Sequence, residues 1–179
     1  MDREKIHNMM REEKKTEDRP GWITDQARDE LSALPWGRKG DIARNGCGLV
    51  SVYNFLLMLG NGRDKLDLYH ALTERRAPLL NGKLGTNPFA ILHYLKEMYP
   101  TARLRFFPGI RKKGIQDRYA AIFLYLGWDK GLYAHYVACN LDQNRLYLPN
   151  DSDARPTDLK SWFKRLKRRS CLCIAALTV

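Results

Sequence analysis

The chain lacks any apolar run near the length of about 18 residues that a membrane-spanning helix requires. Its first 19 residues, MDREKIHNMMREEKKTEDR, are charged and contain no apolar core, which excludes a secretory signal peptide over that stretch. A cytoplasmic location with no membrane partner is the resulting expectation. Cysteines are few, at 47, 139, 171 and 173, and none is paired at zinc-site spacing or flanked by histidines. No metal and no cofactor are therefore expected, and Cys139, Cys171 and Cys173 read as reduced thiols in or near the core. Glycine and proline are not abundant enough to suggest a disordered chain, and aromatics at 11% argue for a packed interior.

Acidic residues are in deficit, 20 against 31 Lys and Arg, for a net charge of +11. Residues 1–19 hold six basic and six acidic side chains, so the whole excess lies beyond them. Its densest parts are Lys164-Arg165-Leu166-Lys167-Arg168-Arg169 and Arg111-Lys112-Lys113. Such a field favours acidic partners. No aromatic stacking motif accompanies the basic clusters, so they read as a solvated helix face rather than a nucleic-acid surface. At 179 residues and 44% hydrophobic, the chain is most simply one domain over 21–179, preceded by an exposed charged helix or tail at 1–20. Nothing in the sequence specifies an oligomeric state.

From Gly48 to Leu59 the sequence GLVSVYNFLLML is apolar on nearly every side, a helix that must be buried all round, with Gly60 as its C-cap. Shorter helices are predicted over 22–34 and 64–74. Another begins at Asn87-Pro88, as N-cap and first helical residue, with Phe89, Leu92, Leu95 and Met98 at helical spacing. After Pro100 the segments 102–107, 119–126, 133–140 and 145–149 are rich in β-formers. Thr157 is the predicted cap of a helix to about 168, with Leu159, Trp162, Phe163 and Leu166 facing inward, and a strand over 170–178 ends the chain. The fold class is α+β: helices first, then an antiparallel sheet around a central buried helix.

Cys47 stands where a loop meets the buried helix. A helix N-terminus supplies partial positive charge and unpaired N–H groups, which favour the nucleophilic thiolate. Glycines at 46 and 48 would let a substrate carbonyl come close and leave the Cys47 N–H open to an oxyanion. By local sequence alone, a small core cysteine between turn glycines is an equal reading. His135 lies in the apolar strand Tyr133-Ala134-His135-Tyr136-Val137. A hairpin centred on Gln143 would place it opposite Asp151, with Asn150 adjacent. Either residue could orient the imidazole, as in nucleophile–base–orienter triads.

The stretch Asn45-Gly46-Cys47-Gly48-Leu49-Val50-Ser51-Val52-Tyr53-Asn54 resembles the nucleophile helix of papain-like cysteine peptidases. It is most similar to the branch of bacterial double-glycine leader peptidases. His135-Tyr136-Val137 followed by Asn150-Asp151 is similar to that branch's histidine strand and its orienter. Gly82-Lys83-Leu84-Gly85-Thr86-Asn87-Pro88 resembles the stretch between its two halves. The resemblance covers roughly residues 36–178. It implies a papain-like α+β fold, with a buried nucleophile helix on an antiparallel sheet, and a peptide or protein substrate. Cys47, His135 and Asp151 (or Asn150) would form the triad, and peptide-bond hydrolysis or related acyl transfer would follow. Relatives carry a glutamine a few residues before the cysteine as second oxyanion donor, where this chain has Asp41; Ser152 replaces their proline. The Cys47 backbone and Asn45 are the oxyanion candidates here. The alternatives are a catalytically impaired peptide-binding module and an acyltransferase or transglutaminase using the same triad.

Overall fold

The computed structural model describes residues 21–107, 120–128, 131–142, 145–148 and 158–179. The charged segment 1–20, the cluster at 111–113, and both orienter candidates, Asn150 and Asp151, lie outside the described residues.

Among the described residues, five α-helices and five strands form an α+β architecture: α1 (Ile42–Asn45), α2 (Cys47–Met58), α3 (Lys65–Glu74), α4 (Pro88–Met98), β1 (Arg103–Phe106), β2 (Ala120–Gly127), β3 (Tyr133–Asp142), β4 (Arg145–Tyr147), α5 (Leu159–Arg168) and β5 (Cys171–Thr178). The strands make one sheet in the order β1-β5-β2-β3-β4, antiparallel throughout. Helix α2 packs chiefly on β3. All of its residues except Leu57 are buried, as a helix apolar on every side demands.

One face of the sheet, carrying Ile122, Leu124, Tyr136, Ala138, Ala175 and Leu177, joins the α2 core. The other, carrying Phe123, Tyr125, Val137, Cys139, Cys171 and Cys173, packs against α5 through Leu159, Trp162 and Leu166. A bulge switches which residues of β5 meet each face. Leu124 pairs with Ala175 but Tyr125 pairs with Cys173, so Ile174 is an extra residue and the inward parity reverses there.

Three expectations change. Residues 22–34 form successive turns rather than a helix. Asp25 and Asp29 each take the N–H two residues on, Ala27 at 2.9 Å and Leu31 at 3.0 Å, and these side-chain bonds compete with the helical ladder. The cap of α5 is Asp158, whose carboxylate accepts from Ser161 N–H at 2.9 Å, not Thr157. In α4 the buried stripe is Ala90, Ile91, Tyr94 and Leu95; Phe89 is 60% exposed, its ring tilted against Phe106. Asn87 does cap α4, with Pro88 as its first residue.

Candidate active site

The N-terminus of α2 differs from those of the other helices. Asp41, Asp64, Asn87 and Asp158 cap α1, α3, α4 and α5 with side-chain oxygens, whereas α2 has Gly46 at its cap and no side-chain bond. Its leading N–H groups are therefore left for another acceptor. Packing alone leaves no room for a side chain at either flanking glycine. A Cβ on Gly46 would lie 2.7 Å from the Ile42 carbonyl oxygen, and one on Gly48 2.4 Å from the Thr86 Cβ. Gly48→Ala should accordingly cost about 1–3 kcal/mol in denaturant unfolding, because Thr86 belongs to a backbone pairing with Pro78 and cannot retreat freely.

Cys47 is buried, 4% exposed, at the first position of α2. Its thiol lies within hydrogen-bonding reach of the His135 imidazole and of the backbone N–H groups of Tyr136 and Gly48. Burial alone pushes the thiol up. The hydrogen bond and positive charge of His135, with the two N–H groups, outweigh burial and bring Cys47 below its ordinary 9.0. Two other core thiols behave oppositely: burial drives Cys139 well up and Cys173 up to about 12. All four cysteines are free and buried, so the contrast comes from neighbours, not from depth.

The sheet delivers His135. Along its outer side, β3 is paired by β4 only over Asn140–Asp142, so among the described residues no strand flanks His135 and Tyr136. Cys47 meets β3 at this edge. His135 is a half-buried cross-strand partner of Tyr125, their ring centroids 5.3 Å apart. Tyr136 turns the other way and donates its hydroxyl to the Thr86 carbonyl at 2.9 Å. Burial and the nearby Cys47 charge push that phenol strongly up, so it stays a neutral donor.

The hairpin register differs from the count made on the sequence. Asn140 faces Tyr147 and Asp142 faces Arg145, so the ladder is centred between 143 and 144 rather than on Gln143. Placing Asp151 directly across from His135 does not follow from that ladder.

Asp41 is committed to capping α1, accepting from Arg44 N–H at 2.8 Å and approaching its guanidinium at 3.9 Å. Asn45 lies with its side-chain nitrogen against the backbone of Gly40, beside the Gly82 carbonyl. A cleft of about 450 Å³ opens beside His135, lined by Thr24, Asp25, Gln26, Tyr125, Tyr133, His135 and Arg169. Gln26 was not singled out by sequence, since nothing in its spacing from Cys47 marks it. Its amide nitrogen donates to the carbonyls of Ala43 at 2.9 Å and Ile42 at 3.3 Å, tying the 22–34 turns to α1. Among the described residues no group of three or more His, Cys, Asp or Glu is placed to hold a metal, and no helix is long and apolar enough to cross a membrane.

No protein-family model matches the chain, and no curated protein matches it. Among solved structures it is similar to the peptidase domain of Streptococcus ComA, a bi-functional ABC transporter involved in a quorum-sensing pathway. The two are 18% identical, with 75% of this chain and 92% of that one covered, at a TM-score of 0.47. At that score the likeness adds no weight to the site, which stands on its own geometry.

Proposed function

We propose that the protein is a papain-like cysteine hydrolase acting on peptide or amide bonds. The observation that carries this reading is the buried thiol of Cys47, brought below its ordinary value by His135 at an uncapped helix N-terminus. In the proposed reaction the Cys47 sulfur attacks a substrate carbonyl carbon, forming an S–C bond and moving the carbonyl pair onto oxygen. The Cys47 N–H, which opens α2, donates to that oxyanion. The tetrahedral adduct then collapses and breaks the C–N bond, the leaving amine taking a proton from the His135 imidazolium. Water, deprotonated by the same imidazole, then cleaves the thioester and returns Cys47. Asp151 or Asn150 is proposed to orient the imidazole.

Incubation with a peptide library, read by mass spectrometry, tests the reading. New C-termini are expected with the native protein and are absent with Cys47→Ser and with His135→Ala. Equal cleavage by all three proteins overturns it. Added amine distinguishes hydrolysis from acyl transfer, since a transferase forms amide products from it.

A further inference from the structure

The outer face of α5 presents Lys160, Lys164, Lys167 and Arg168, all exposed. Their spacing places them on one side of the helix, a stripe about 12 Å long. None of the four forms an ion pair among the described residues.

Helix stability does not account for this stripe. Lys167 and Arg168 complement the macrodipole in the last turn, but Lys160 sits in the first turn, where a cation is unfavourable. Lys160 with Lys164, and Lys164 with Arg168, are like-charge pairs four apart, each costing about 0.2–0.5 kcal/mol. At its C-terminal end the stripe runs into Arg169, the α5 C-cap, which lines the cleft beside His135. The end of the helix that carries the stripe therefore adjoins the proposed active site.

The surroundings select the kind of partner. The apolar side of α5, with Leu159, Trp162 and Leu166, is already buried against the sheet, so the helix has no apolar face to offer a bilayer. The α5 stripe itself carries no aromatic ring, and the exposed Trp128 beyond its end, whose backbone N–H donates to the Ser170 carbonyl, is a single ring rather than a row on which successive bases could stack. Carboxylates of an extended chain meet neither limit. We propose that this face docks an acidic segment of the substrate and leads the chain into the cleft at His135. The proposal rests on the hydrolase reading for the word substrate, while the docking stands on the stripe itself.

Fluorescein-labelled octaglutamate, with octaglutamine as control, tests it by anisotropy on the full chain. The expected result is octaglutamate binding that weakens as salt rises from about 50 to about 300 mM, because exposed charges are screened. Combining K160Q, K164Q, K167Q and R168Q should weaken it at least about tenfold, since each cation contributes to the same surface potential. A benzophenone on one peptide terminus should crosslink to Tyr133 or to residues 24–26. Binding that survives the four substitutions overturns the proposal, as does its absence or crosslinking confined to other surfaces. So does tighter binding, lost in the same variant, to a DNA duplex or to phosphatidylserine vesicles. None of these readouts depends on Cys47 chemistry, so a protein that binds octaglutamate but cleaves nothing refutes the hydrolase reading alone.

Discussion

In His135→Ala, alkylation of Cys47 by iodoacetamide near pH 6 should fall steeply, because only the thiolate reacts and losing the imidazole raises the thiol's pKa. The sign follows from the balance at the sulfur. Burial raises the thiol's value, and His135 supplies the two largest contributions that reverse it. With the imidazole gone, burial dominates and the thiol moves up toward the behaviour of Cys139 and Cys173. In the native protein the alkylation rate should hold as pH is lowered below 9.0, then decline once pH passes below Cys47's own depressed value. In the variant the rate should instead climb as pH is raised. Mass mapping of the labelled site checks selectivity, since Cys139 and Cys173 are buried and held protonated. Equal labelling of all four cysteines, or no change in the variant, would remove the nucleophile assignment. Because His135 is only half-buried, the variant should keep its fold, which circular dichroism verifies.

Asn54→Leu should destabilise the protein by about 2–4 kcal/mol, because it leaves two buried backbone groups without partners. Asn54 is fully buried in the middle of α2. Its oxygen accepts from Ile23 N–H at 2.9 Å and its amide donates to the Ile23 carbonyl at 2.9 Å. Leucine keeps the branched shape, with somewhat bulkier ends, but supplies neither bond. A lowered denaturant midpoint with an unchanged slope is the expected reading. The loss also reaches the site, because Ile23 anchors the segment whose next three residues, Thr24, Asp25 and Gln26, wall the cleft. A variant as stable as the native protein would show that this segment is held by other contacts.

Features set by neighbours in sequence were readable in advance. The apolar run after Gly48 had to be a buried helix, since no face of it can meet water without cost, and it is one. Asn87-Pro88 starts a helix because the side-chain oxygen caps it and proline's fixed φ suits the first turn. The strands fell near their places because segments rich in aromatic and apolar β-formers suit a pleated, buried sheet. The turns at 22–34 were missed because two aspartates capture local N–H groups, an effect that apolar periodicity does not register. In α4, Leu95 is buried and Leu92 and Met98 pack against the core as their spacing suggests, and only Phe89 turns outward, its ring tilted against Phe106.

The same division runs through the candidate site. Cys47 at a helix start and His135 on an apolar strand were both visible as residue types in telling positions. Their meeting was implied only by the family resemblance, because the residues by themselves do not reveal that α2 packs on β3 where β4 stops short. Whether the thiol ends below or above its ordinary value was equally invisible in the chain. Burial, the imidazole and two backbone N–H groups act on one sulfur in opposite directions, and only the distances of the folded state decide which prevails. Gly46 and Gly48 show this most plainly. Their presence beside Cys47 was evident from the sequence, but their physical reason, Ile42 behind one and Thr86 against the other, belongs to the tertiary structure.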